Sequence, residues 1–153
     1  MCTQQGECLT VFDRPFDRIA VGDEYISPAR TVTAEDLTVF ANWSGDHYPL
    51  HTDEAFAAQT RYGQRILHGL GVLSLTFGLI PLKAPEILAL YGLNRVRFIR
   101  PVTIGTCLHA RVQCTALKTV PQGGLVTVSV RAEDRENEGY MVAEMVVLMR
   151  RGT

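Results

Sequence analysis

The chain predicts an α+β domain in which one long apolar helix packs against an antiparallel sheet, and three observations lead there. The run Ile66 to Ile80 (ILHGLGVLSLTFGLI) is apolar almost all round, the mark of a helix buried on most sides. Beyond it, residues 94–100, 106–120, 125–133 and 140–150 read as strands. The last of these are separated by turn-like PQGG (121–124) and RENEG (135–139), and consecutive strands on short polar turns make an antiparallel meander. A single domain over residues 1–153 is expected, with 1–20 a possibly loose N-terminal segment.

Composition narrows the function classes. A hydrophobic fraction of 46% suits a packed globular chain, not a disordered one. A formal net charge of −1 offers no bulk attraction to nucleic acid or to anionic lipid, so neither partner is expected. Cys2, Cys8, Cys107 and Cys114 include no C-x2-C pair, and the odd spacing of the last two points them to opposite faces of a strand. Free thiols in a reducing compartment follow. The N-terminus lacks the continuous apolar stretch of a signal peptide, and the run Ile66 to Leu82 is interrupted by His68, three glycines and Pro81. The expected setting is soluble and cytoplasmic.

Taken in order, Glu24 to Val32 is strand-like and broken by Pro28, which suits an edge or entry strand. Thr33 is an N-cap, followed by Glu35 and Asp36 where the helix dipole favours negative charge. Leu37, Phe40 and Ala41 supply the apolar face of that helix, which should end at Gly45 in a left-handed cap. Pro49 disfavours helix at Tyr48, so His47 to His51 reads as a turn. Thr52 or Asp53 then caps a short helix from Glu54 to about Thr60, and residues 61–65 form a polar loop. In the long apolar helix Gly69, Gly71 and Gly78 each lower intrinsic propensity by roughly 1 kcal/mol, so burial must hold it. Val96 and Phe98 alternate with Arg95 and Arg97, and Leu108, Ala110 and Val112 share one face of the next strand.

The chemistry gathers between Ser44 and Ser74. Asp46 and His51 place a carboxylate and an imidazole five residues apart across a proline turn. Such a pair can hold one water between them, one group taking its proton and the other orienting it. The spacing alone favours the plainer reading, in which Asp46 caps local amides and His51 bonds within a loop. His68, a lone histidine at a helix start, is ambiguous in the same way. Gly69 says more, because an N–H in the first helical turn has no intrahelical partner and suits a developing oxyanion. His47, His51, His68 and Asp46 have zinc-compatible chemistry but no standard ligand spacing, so no metal is expected. The arginines at 61, 65, 95, 97 and 100 suit a solvated face or phosphate contacts. G-x-S-x-G, P-loop and G-x-G-x-x-G motifs do not occur, which removes serine-hydrolase, NTPase and dinucleotide readings.

The run Ser44-Gly-Asp-His-Tyr-Pro-Leu-His-Thr-Asp53, with Ala55-Phe56-Ala57 and Ile66-Leu67-His68-Gly69, resembles the MaoC-like, or R-specific enoyl-CoA hydratase, family. Val96-Arg-Phe-Ile-Arg-Pro-Val-Thr-Ile-Gly105 is similar to that family's strand entering a Pro-Val turn. The resemblance implies a hotdog fold, a sheet wrapped around a central helix, assembling as a homodimer or higher homo-oligomer. It implies reversible syn hydration of a trans-2-enoyl thioester, carried by coenzyme A or an acyl-carrier protein, without a cofactor. By the same resemblance Asp46 and His51 are the acid/base pair, and Gly69, His68, Tyr48 and Ser74 serve oxyanion or substrate binding. Tyr48 stands where the family has Asn, a departure that implies a reshaped pocket and a shifted acyl preference. A hotdog thioesterase, or a non-catalytic thioester-binding or partner subunit, is the alternative reading.

Overall fold

The computed structural model describes residues 10–152, so Cys2 and Cys8 lie outside the described residues. Its elements are α1 (Ala34–Ser44), α2 (Pro49–Thr52), α3 (Glu54–Ala58) and α4 (Gly69–Gly78), with six strands. The strands are β1 (Glu24–Ile26), β2 (Arg30–Thr31), β3 (Ile87–Phe98), β4 (Cys107–Val120), β5 (Gly123–Glu133) and β6 (Gly139–Met149). They form one sheet in the order β1-β4-β5-β6-β3, with β2 also pairing β4, and every pairing is antiparallel. The β4–β5–β6 meander is the one the alternating runs predict. Leu108, Ala110 and Val112, all at 0% exposure, point to the face on which α4 lies, beside Val126, Val128, Val130 and Ala132.

The possibly loose N-terminal segment is corrected over its described part. Val11, Phe12, Phe16 and Ile19 are buried in the core, and the Phe16 N–H donates to the Arg150 carbonyl at 2.9 Å. These side chains show no clean period, which is why the sequence hides them, yet together they cover the apolar end of the sheet.

Helix α1 starts and stops as its caps dictate. The Thr33 hydroxyl accepts from the Asp36 N–H while the Asp36 carboxylate accepts from the Thr33 N–H, a reciprocal capping box. Gly45 ends the helix at φ 81°, and its N–H donates to the Ala41 carbonyl. The next segment differs from expectation. Pro49 opens the short helix α2 where a plain turn is predicted, because a proline at the first helical position has its φ preset and no N–H to satisfy. Asp53 then caps α3, its carboxylate accepting from the Phe56 N–H at 2.9 Å.

The central helix is shorter than the apolar run suggests. Ile66 bridges Thr103, the Leu67 N–H donates to the Val102 carbonyl at 2.8 Å, and His68 is extended at φ −50°, ψ 139°. Helix therefore begins at Gly69 and runs for 10 residues. Val72 and Thr76 face the sheet, whereas Leu70 is 63% exposed, so α4 is buried on one side of the single chain and not all round. Strand β3 begins at Ile87, ahead of the expected Asn94, and forms an edge of the sheet. Its alternation breaks at Arg95, which sits at φ 52° inside a register shift between Asn94 and Arg97. Leu90 and Tyr91 on this edge are 58% and 66% exposed. Cys107 and Cys114 are free thiols.

Candidate active site

Asp46 leaves α1 on the left-handed turn at Gly45. Its N–H donates to the Ser44 hydroxyl and its own Oδ1 accepts the Tyr48 N–H at 3.1 Å, so the carboxylate is oriented by the turn that carries it. The residue remains exposed to solvent. His51 is held one helical turn later on α2. Its Nδ1 lies 2.8 Å from the Ile66 carbonyl oxygen. A carbonyl can only accept, so Nδ1 carries the proton and Nε2 keeps a free lone pair.

His68 is 2% exposed and occupies the N-cap of α4. The same logic puts its proton on Nε2, which donates to the Asp46 backbone carbonyl at 2.9 Å. Its ring stacks on His51 with centroids 3.9 Å apart and an interplanar angle of 25°, and meets Phe40 at 4.8 Å on α1. Nδ1 of His68 is buried with no hydrogen-bond partner among the described residues. Burial lowers the pKa of this imidazole from its ordinary value, and the bond to Asp46 only partly opposes the shift.

One polar atom from each of Asp46, His51 and His68 lies within 4.8 Å of the others. Two hydrogen bonds of about 2.8 Å each span such a gap, so one water can bridge the Asp46 carboxylate and the His51 imidazole. These residue types also bind transition metals. Stacked rings, however, hold their lone pairs in near-parallel planes, and lone pairs so arranged do not converge on one ion.

Gly69 is the first residue of α4, and no side chain caps that helix. Its N–H consequently has no intrahelical partner and stands at the positive end of the dipole. Gly69 and His51 line one cavity of about 320 Å³, with Tyr62, Arg61, Phe98 and Arg100 around it. Phe98 crosses the helix start so closely that a Cβ on residue 69 would lie 3.0 Å from its ring. The Arg61 guanidinium sits 4.9 Å from the Tyr62 ring and donates to its hydroxyl, while Arg100 is paired with Glu138.

The structure thus gathers Asp46, His51, His68 and Gly69, and places the exposed Tyr48 beside them. The Tyr48 ring stands edge-on to His51 and to Phe56, each at 6.1 Å. His68 is behind His51, away from the cavity lining, a different place from the one its grouping with substrate-binding residues anticipates. Ser74 lies apart too: its hydroxyl donates to the Leu70 carbonyl, and it lines a second groove between α1 and α4 with Trp43 and Arg30. That groove is larger, about 770 Å³. It is lined by the carboxylates of Glu35 and Asp36 but by no histidine, and Asp36 is committed to the helix cap and to Arg30, whereas the smaller cavity is lined by the His51 imidazole. Sequence reasoning missed the Ile66 carbonyl and the Phe98 ring. The first acts through its backbone and leaves no side-chain signal; the second sits past a bulge that upsets the strand's period.

Residues 18–136 match the family model described as MaoC like domain. The chain is 36% identical over 104 residues to "Protein MaoC" of Klebsiella aerogenes, covering 67% of this chain and 31% of that much longer protein. It is 29% identical over 147 residues to "3-hydroxyacyl-thioester dehydratase Z" of Mycobacterium tuberculosis, covering 91% and 97% of the two chains. Among solved structures it superposes on the (R)-hydratase from A. caviae with a TM-score of 0.73 at 28% identity, covering 88% and 98%. A Mycobacterium tuberculosis protein described as a double hotdog fold matches with a TM-score of 0.79 at 20% identity, over 91% of this chain and 44% of that one, which speaks to the fold alone. The architecture is a hotdog fold, and the chain belongs to the MaoC-like dehydratase family.

Proposed function

We propose that the protein is a hydro-lyase that adds water reversibly and syn across a trans-2-enoyl thioester, giving a 3-hydroxyacyl thioester. The observation that carries this reading is the pairing of Asp46 and His51 within reach of one water, beside the uncapped N-terminus of α4. The names of relatives, a 3-hydroxyacyl-thioester dehydratase and an (R)-specific hydratase, support the same reaction class. In this scheme the thioester carbonyl accepts the Gly69 N–H, which stabilises the enolate as the C2–C3 π bond breaks. The water gives one hydrogen bond to the Asp46 carboxylate and its reacting proton to His51 Nε2, while its oxygen bonds to C3. The imidazolium so formed returns a proton to C2 from the same face, so H and OH add syn and His51 ends as it began. No cofactor or metal takes part.

The carrier is coenzyme A or an acyl-carrier protein, and the exposed apolar edge of β3 favours pairing with a second copy of the chain in a cytoplasmic setting. The decisive assay offers crotonyl-CoA and a panel of longer and branched enoyl-CoAs, in EDTA, and follows enoyl absorbance together with free thiol. Loss of absorbance without thiol supports the hydratase. Thiol release would instead make it a thioesterase, and binding without either change a non-catalytic subunit.

A further inference from the structure

We propose that His68 is a positioning residue that fixes acid and base relative to one another: its Nε2–H holds the Asp46 carbonyl and its ring face backs the His51 ring. The inference rests on the hydratase reading for its catalytic meaning and on geometry alone for its structural part.

A buried imidazole with one nitrogen unbonded is an expensive way to fill space. Leu or Phe would occupy the volume without leaving a polar atom unsatisfied, so packing alone does not account for a histidine here. What the ring does is visible in its contacts. It ties the turn after α1 to the start of α4 through the 2.9 Å bond to the Asp46 carbonyl, 22 residues away in sequence. By stacking at 3.9 Å it also limits rotation of the His51 ring, whose in-plane orientation is set separately by the Ile66 carbonyl. The acid and the base sit on different elements, and His68 touches both.

The tautomer matters. With Nε2 protonated, a second proton on Nδ1 would be a buried donor with no acceptor. The charged or titratable groups that face it are Asp46, His47 and His51, and the two histidines oppose its protonation. From α1 the facing group is the uncharged Phe40 ring. A neutral ring behind His51 lets His51 accept a proton during turnover without a second cation stacked against it.

Two variants separate the two contacts. His68→Phe keeps a ring face and removes the donor; His68→Gln keeps an N–H donor and removes the ring. Each is expected to lower kcat by about 10- to 100-fold with KM changed less than about 3-fold, the signature of misplaced reacting groups. Histidine nitrogen NMR on the full chain supplies a readout that does not need activity. Between pH 8 and 6 His68 should stay in the Nε2–H form and His51 should be the Nδ1–H form when neutral, and both variants should shift the His51 signals. Wild-type kcat in His68→Phe, or an Nδ1–H tautomer at His68, overturns the proposal. A variant too unstable to assay leaves the wild-type tautomers and the other variant to decide. Should the wild type hydrate no enoyl thioester, the hydratase reading fails while the NMR arm still tests the positioning role.

Discussion

The Nδ1–H of His51 donates to the Ile66 carbonyl oxygen at 2.8 Å, so the candidate base is aimed by a backbone group 15 residues further along the chain. That bond leaves Nε2 as the basic nitrogen of the ring. Asp46→Asn and His51→Ala are each expected to lower hydration by on the order of 100-fold or more while leaving the far-UV spectrum unchanged. Asp46 is exposed and His51 only partly buried, so neither substitution opens the core. Steady-state rates on crotonyl-CoA check this, and near-wild-type turnover in either variant would remove the site assignment.

Tyr48 bears on specificity. Its side chain is 56% exposed and rests edge-on against His51 and Phe56, so replacing it removes bulk near the site without opening the core. Tyr48→Asn is expected to change relative kcat/KM across an acyl-chain panel by about 10-fold in favour of longer chains, since pocket volume discriminates at roughly that level. Its Tm should move by only a degree or two, because surface substitutions are worth about 0.5 kcal/mol or less. Equal relative rates for both proteins would refute it.

Gly69 and Phe98 should behave as a coupled pair. The methyl of Gly69→Ala would press on the Phe98 ring from 3.0 Å, and that ring, 48% exposed, is able to swing away into the cavity mouth. A fall in kcat/KM of about 10-fold is expected, with much of it recovered in Gly69→Ala/Phe98→Ala, because contacting residues are non-additive. Additive losses in the double variant would show that the ring is not involved.

A separate prediction concerns acid stability. Glu133 is 3% exposed; burial pushes its carboxyl up, but the Arg111 and Arg131 guanidinium bonds at 2.9 and 2.6 Å outweigh this and hold it below the ordinary value. A carboxylate whose folded pKa is depressed stabilises the fold at pH values above the unfolded pKa. As pH falls below that value the unfolded chain takes up its proton first, and stability declines until the folded carboxyl is protonated as well. Unfolding midpoints in urea should therefore drop below about pH 4.5, and Glu133→Gln should flatten that drop while destabilising the protein at pH 7. An unchanged slope in the variant would rule this group out.

The exposed edge of β3 gives a further test. Leu90→Asp together with Tyr91→Asp puts two charges where two exposed apolar side chains now stand. Light scattering on the wild type is expected to read about twice the chain mass and the double variant about one chain mass. Identical masses would move the contact elsewhere.

Much of this is legible in the sequence. The caps at Thr33, Gly45 and Asp53 are local, each decided by a side chain and its neighbours, and the meander is written in residues of period two. The candidate acid, base and oxyanion-binding glycine are nameable because the residues that resemble the family's motif stand together in the sequence. What stayed hidden is non-local. Nothing near His68 announces that its ring reaches back to the Asp46 carbonyl, or that Ser74 faces a different groove. The segment before α4 reads as helix because Ile66 and Leu67 are apolar. Its extended form comes from pairing with Val102 and Thr103, more than thirty residues away.

Four consecutive residues each make one connection. Ile66 aims His51 by its carbonyl, Leu67 anchors on Val102 by its N–H, His68 reaches Asp46 by its ring, and Gly69 opens the helix. The four are in fixed phase, because one residue more or fewer would turn every group after it to the opposite side of an extended chain. Insertions and deletions should be better tolerated at residues 63–65, beyond the cavity-lining Arg61 and Tyr62, than within 66–69, where they should abolish activity. Length, more than identity, is what that tetrapeptide cannot vary.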